Sequence, residues 1–323
     1  MGALEDVIEP RTARGRRRVV AVGAAVSAGV GLAAQARLNG ELGARIGDGV
    51  AASLASTTAG MVVLLALVPA LPAGRRGLAA IRAGLRSGGL RWWHCLGGVG
   101  GAVFVAGQGI SVGALGVAVF TVAIVAGSAI GGLAADRWGL GPAGRHRVSP
   151  ARVGGALACV AAVAVAVSDR LGVPGIAALV VLPLLAGVAV ATQSALNGRV
   201  GATARSPWPA TLVSFAVAEL TLAAVWLVGI AAHGAPVHRL PPEPWLYAAG
   251  LIGIVVIATA ARVVGQVGVL VFSLASVAGQ LLGALAMDAL TAGPRPTAAV
   301  WVGTAVTFGA VALASRPGRQ PGP

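Results

Sequence analysis

Long apolar runs, each able to cross a bilayer as a helix, follow one another along the chain with short charged segments between them. A hydrocarbon core about 30 Å thick takes about 20 apolar residues per helix, so the runs predict about ten crossings. The first five lie near 19–36, 50–71, 92–111, 112–135 and 152–168. The second five lie near 174–196, 209–231, 245–264, 265–287 and 297–314. The third and fourth runs are nearly continuous, as are the eighth and ninth, and each join is marked only by glycines such as Gly109, Gly113 and Gly265. A single helix of about 40 residues would be about 60 Å long, twice the hydrocarbon thickness, so each join must turn.

Arginine placement supports this division. With the N-terminus inside, the inside segments hold Arg11, Arg14, Arg16, Arg17 and Arg18; Arg75, Arg76, Arg82, Arg86 and Arg91; Arg137, Arg145, Arg147 and Arg152; Arg199 and Arg205; Arg262; and Arg316 and Arg319. That is nineteen of twenty-four, and only Arg37, Arg45, Arg170, Arg239 and Arg295 fall outside. Cytoplasmic loops are enriched in Lys and Arg, so both termini are predicted to be cytoplasmic. Trp92, Trp93, Trp138, Trp208 and Trp245 sit at span edges, where interfacial aromatics belong.

The chain also repeats itself. Gln35-Ala-Arg-Leu-Asn39-Gly40 recurs as Gln193-Ser-Ala-Leu-Asn197-Gly198 at an offset of 158, and Ser53-Leu54-Ala55-Ser56 answers to Thr211-Leu212-Val213-Ser214. Val112 to Asp136 matches Val264 to Asp288 at an offset of 152, with identical pairs Gly113/Gly265, Gly116/Gly268, Phe120/Phe272, Gly127/Gly279, Gly131/Gly283 and Asp136/Asp288. A shorter connecting loop in the second half explains the change of offset. The repeat also argues that Arg14 to Arg18, the following apolar run and Ala34-Gln35-Ala36, which together imitate a signal peptide, belong to the mature fold.

The predicted organisation is a basic cytoplasmic tail over 1–18, five-helix repeats over 19–168 and 174–315, and a tail over 316–323. An odd number of spans per half inverts the second copy, giving an all-α membrane protein of ten transmembrane helices in two inverted five-helix repeats. Such repeats place a solute site near the bilayer midplane and let one half rock against the other.

Composition agrees: 57% of residues are hydrophobic and 11% charged, with a mean hydropathy of +0.86. That leaves too little polar surface to coat a soluble globule. The net charge of +14 comes from arginine alone and is confined to the short segments, with no basic stripe interleaved with aromatics, so it reports topology rather than nucleic-acid binding. Cys95 and Cys159 lie in apolar runs, where they are small hydrophobes. No phosphate loop, paired metal ligands or nucleophile elbow occurs, and the four histidines are scattered, so no catalysis, metal or cofactor is expected.

Glu219, near the centre of the seventh run, is the sharpest candidate. Burying an acid at that depth costs about 2.5–3.5 kcal/mol on insertion scales, so it should face the bundle interior or a wet cavity. Its readings are a proton-coupling or solute-contacting carboxylate and a neutral acid hydrogen-bonded within the bundle; its repeat partner is the apolar Met61. The amides Gln35, Asn39, Gln193, Asn197, Gln108, Gln266 and Gln280 are the other candidates for a solute site, with helix-to-helix hydrogen bonding as the competing role. Asn39 and Asn197, each just before a glycine, are expected to cap the ends of their helices, with solute contact behind that role. Gln35 and Gln193 lie one turn deeper on the same face. Arg262 is expected to be a cytoplasmic anchor before an anion contact, Asp136 and Asp288, at helix ends on opposite faces of the membrane, to fix loops or pair with neighbouring groups such as Arg137, and Gly127-x-x-x-Gly131 and Gly279-x-x-x-Gly283 to let helices approach closely.

Two five-span units, each with Gln-x-x-x-Asn-Gly closing the first helix, and Gly-Gln-Leu-Leu-x-x-Leu-x-x-Asp late in the fourth helix of the second unit, ending at Asp288, resemble the YdcZ-like branch of the drug/metabolite transporter superfamily. The first copy of the second motif departs from it, with Ser128 in place of Gln280. The resemblance implies a multi-pass protein of the bacterial inner membrane with an EamA-like fold, and it implies no particular substrate. The expected function is secondary transport of a small organic solute, a metabolite or drug, by alternating access with a proton as candidate coupling ion; a non-transporting scaffold or regulatory membrane protein is the alternative. The expected partners are the solute, membrane lipid and a second copy of the chain.

Overall fold

A computed structural model describes residues 11–142, 144–145, 150–170, 174–234, 239–256, 259, 269–290 and 296–314. Among these residues the fold is helical and contains no strand. The first half comprises α1 (Arg11–Ile46), α2 (Gly49–Ala70), α3 (Pro72–Ser87), α4 (Gly97–Leu115), α5 (Val117–Trp138) and α6 (Pro150–Ala166). The second comprises α7 (Ile176–Ala204), α8 (Pro207–His233), the short apolar helix α9 (Pro244–Val256), α10 (Val269–Leu290) and α11 (Ala298–Ala314). Among the described residues six helices are long and apolar enough to span a membrane, and four more are apolar but shorter there: those of α6, α9, α10 and α11.

Three expectations change. Neither Asn39 nor Asn197 caps a helix: α1 runs on to Ile46, where Gly47 turns the chain at φ +76°, and α7 runs on to Ala204. An Asn-Gly pair inside a long apolar helix whose backbone is already hydrogen-bonded has no free carbonyl to terminate, so the apolar face on either side carries the helix through it. The break between the third and fourth runs falls at Gly116 (φ +82°), a few residues beyond Gly109 and Gly113, because that backbone conformation suits glycine. Segment 72–87, expected as a loop, is the helix α3: Pro72 starts it, Gly88 at φ +77° ends it, and Gly74, Gly77 and Ile81 form its buried face.

The packing reproduces the internal repeat residue by residue. A Cβ at Gly29 of α1 would overlap the carbonyl oxygen of Ser276 on α10; at Gly187 of α7, offset by 158, it would overlap that of Ile124 on α5, offset by 152. Gly279 meets Val26 in the way that Gly127 meets Leu184, and Gly283 meets Val30 in the way that Gly131 meets Val188. In both seams the contact positions rise together, so α1 runs parallel to α10 and α5 parallel to α7. The first span of each half thus packs on the fourth span of the other half (α3 not being counted as a span), backbone against backbone. The same equivalence extends to Gly98 of α4 against Ser214 and to Gly250 of α9 against Ser56. Helices α2 and α8, themselves repeat partners, pack on each other, as do α6 and α11.

The core lies along α5, buried continuously from Val117 to Gly127. Its first turn is held by Asp288 of α10: Val117 N–H donates to Oδ1 at 2.8 Å and Ala118 N–H to Oδ2 at 2.7 Å. Asp288 is buried, and an anionic acceptor at a helix N-terminus satisfies two donors that the helix leaves orphaned. Asp288→Ala is expected to lower stability by about 2 kcal/mol, measured as the loss of folded protein on heating in detergent.

Candidate functional site

Four of the candidate amides form two clusters joined by α4, which packs on both α1 and α7. In the first cluster Asn39 of α1 donates through Nδ2 to Gln108 Oε1 of α4 at 2.7 Å, and both residues are fully buried. Asn39 Oδ1 and Gln108 Nε2 are buried with no hydrogen-bond partner, so the pair keeps one acceptor and one donor open. In the second cluster the hydroxyl of Ser214 on α8 accepts from Gln193 Nε2 at 3.1 Å and from Asn197 Nδ2 at 3.0 Å. Gly97, Gly100 and Gly101 of α4 make room for these two amides, since a Cβ at any of them would press on Asn197 or Gln193. The clusters differ because the repeat equivalent of Gln108 is Ala260, which cannot pair with Asn197.

Gln35, the repeat partner of Gln193, is buried beside Gly253 of α9 and Phe215 of α8, as Gln193 lies beside Gly101. Gln280 is buried on α10 where Gly29 of α1 approaches its backbone. Gln266 and Arg262 lie outside the described residues.

Glu219 sits where α8 crosses α2. The Thr58 hydroxyl donates to Glu219 Oε1, while Glu219 Oε2 is buried without a partner. Trp226, two turns along the same face of α8, likewise buries an unpartnered Nε1. A buried N–H such as Trp226 Nε1 is satisfied only by an acceptor, whereas a buried carboxylate oxygen such as Glu219 Oε2 is satisfied by a donor or by its own proton. Counted from Pro207, Glu219 is twelve residues, about 18 Å, along α8, close to the middle of a bilayer-spanning helix.

Thr58, Ser214 and Trp226 were not singled out from the sequence. Thr58 closes the run Ser53, Ser56, Thr57, Thr58 in an otherwise apolar helix, and that local density of hydroxyls was a usable signal. Ser214 had one too, as the repeat partner of Ser56. Trp226 had none, because a tryptophan in an apolar run reads as packing.

A groove of about 510 Å³ opens between α1 and α9, lined by Ala24, Ala28, Leu251 and Val255, with Ser27 and Thr259 among its polar groups. None of the described amides lines it, and its surface suits an acyl chain better than a polar solute. Among the described residues no cluster of His, Cys, Asp and Glu could hold a metal ion.

At the ends of the bundle, equivalent positions carry opposite charge. Arg45 of α1 pairs with Glu41 at 2.6 Å and with Glu243, just before α9, at 2.8 Å, and stacks over Trp245. The repeat equivalents of Glu41 and Glu243 are Arg199 and Arg91. Arg199 donates to the carbonyls of Leu140 and Gly139 at 2.6 and 2.7 Å, closing the C-terminal end of α5.

One protein-family model, described as "Putative inner membrane exporter, YdcZ", matches the chain twice, over 20–165 and 178–313, each match covering one repeat. No curated protein and no solved structure matches.

Proposed function

Because the chain belongs to the YdcZ family of the drug/metabolite transporter superfamily, a multi-pass inner membrane protein in tandem-duplicated form, we propose that it is a secondary transporter. Its cargo is a small organic solute, carried by alternating access between two inverted repeats of five spans each, with both termini cytoplasmic.

The duplicated seam carries this reading. Two structurally equivalent contacts, α1 on α10 and α5 on α7, join the halves through glycines instead of interlocked side chains, so either can open while the other stays closed. The amide clusters fall where such gates need polar closure. Asn39 and Gln108 lie toward the end of α1 and α4 away from the N-terminus, and Gln193, Asn197 and Ser214 toward the opposite end, with Glu219 between them. The orientation is supported by the charge swap: the acids Glu41 and Glu243 occupy the end assigned to the outside, and their equivalents Arg199 and Arg91 the end assigned to the cytoplasm. Glu219, with one oxygen held by Thr58 and the other unpartnered, is the coupling carboxylate.

The scaffold reading draws on one observation, the closed packing around Asn39 and Gln108, which leaves no open solute cavity at that pair. A thermal-shift screen of the purified protein against a panel of metabolites and drugs at two pH values separates the two. A ligand that binds the folded state at 100 times its Kd stabilises it by about 2.7 kcal/mol. A hit whose shift depends on pH is the expected result; no shift across the panel favours the scaffold.

A further inference from the structure

We propose that α3 is an interfacial helix that binds anionic phospholipid headgroups through Arg76, Arg82 and Arg86, on the face where α2 and α7 end.

The helix is amphipathic in an unusual sense: its buried face is made of Gly74, Gly77 and Ile81, and it has no acidic residue. A Cβ at Gly77 would meet Pro209 of α8 and the Ala204 carbonyl that ends α7, and Gly84 lies against Thr203. The helix is therefore laid across the ends of two spans, immediately after α2 has completed its own crossing. Such a position is the headgroup level of the bilayer.

Its arginines face away from that contact. Positions 75, 82 and 86 follow one helical stripe, Arg76 flanks it, and all four are exposed. Arg75 has a structural task, donating to the Pro69 carbonyl at 2.9 Å and the Ala70 carbonyl at 3.2 Å at the end of α2. Arg76, Arg82 and Arg86 make no ion pair with an acid among the described residues. Leu85, exposed on the flank of the helix, and Trp92 just beyond it supply the apolar and interfacial groups that seat such a helix in lipid.

The device is present once. The corresponding connection of the second half, 234–243, carries a single arginine, Arg239, and an acid, Glu243. Three unpaired guanidinium groups on one side of the molecule, each a planar donor suited to phosphate, match an anionic leaflet rather than an acidic protein, because the neighbouring exposed groups are lipid-compatible. This inference rests on the membrane reading of the fold and not on transport, so a failed solute screen leaves it untouched.

The test uses the full-length protein, delipidated in detergent, with thermal stability and quenching of tryptophan fluorescence by brominated lipid as readouts. Phosphatidylglycerol is expected to act at a much lower concentration than phosphatidylcholine. Each arginine near an anionic surface contributes about fivefold, so Arg76→Gln/Arg82→Gln/Arg86→Gln should weaken the phosphatidylglycerol effect by about 100-fold. Arg37→Gln/Arg239→Gln, at the other end of the bundle, should leave it unchanged. If the triple variant does not fold, Arg86→Gln alone should weaken the effect about fivefold. Equal response to the two lipids, an unaltered response in the variants of Arg76, Arg82 and Arg86, or equal stabilisation by inorganic phosphate at the same concentration overturns the proposal.

Discussion

Gly279→Ala and Gly127→Ala are each expected to lower the stability of the folded protein by about 2–3 kcal/mol. Gly23→Ala and Gly132→Ala, on α1 and α5, are expected to raise it by up to about 1 kcal/mol. The contrast follows from what the new methyl group meets. At Gly279 it overlaps the carbonyl oxygen of Val26, and at Gly127 that of Leu184. Both obstacles are backbone, which cannot rotate away as a side chain can. The helices must separate along the whole seam, forfeiting the close dispersion contacts that hold helices together where lipid supplies no hydrophobic drive. At Gly23 and Gly132 nothing lies within 4 Å, so the same substitution only improves helix propensity. Thermal unfolding in detergent of the four variants checks the signs. Because the seams are equivalent, Gly127→Ala and Gly279→Ala should lose similar amounts; a loss in only one would mean that the seams do not share the load.

Glu219→Gln is expected to bring pH-gradient-driven flux in proteoliposomes down to the level of empty vesicles, with expression and folding intact. The glutamine keeps the shape of the side chain and can still accept from Thr58, but it cannot release or take a proton. It also removes a charge that is costly at mid-membrane, so the variant should be at least as stable as the parent. Exchange of a solute found in the thermal-shift screen, measured without a pH gradient, should persist. Unchanged driven flux would remove Glu219 from the coupling role and leave it as a neutral acid bonded within the bundle. Loss of exchange together with driven flux would make it a solute contact.

The helices were legible because their signal is local. About 20 consecutive apolar residues make a span whatever their neighbours are, and each of the ten runs corresponds to a helix, though only six reach spanning length among the described residues. Helix ends were less legible. Asn39-Gly40 looks like a terminus and is not one, since the six residues after it stay helical against α4 and α9. The α3 helix was hidden for a different reason: the small glycines of its buried face make it read as a polar, glycine-rich loop until the ends of α7 and α8 supply the surface they pack on.

By itself the sequence determined the membrane class, the two copies, the family and the residues carrying polar groups into an apolar interior, because apolar length, repeated spacing and residue type are properties of the chain alone. Only the tertiary structure decided which of those groups meet. Asn39 finds Gln108 across 69 positions, Thr58 finds Glu219 across 161, and Asp288 finds the start of α5 across 171. A hydrogen bond forms within about 3 Å, and no periodicity in one helix specifies which face of another helix will come that close. The glycine seams bridge the two levels: their spacing is in the sequence, but the partner backbone each one admits is set by how the halves pack.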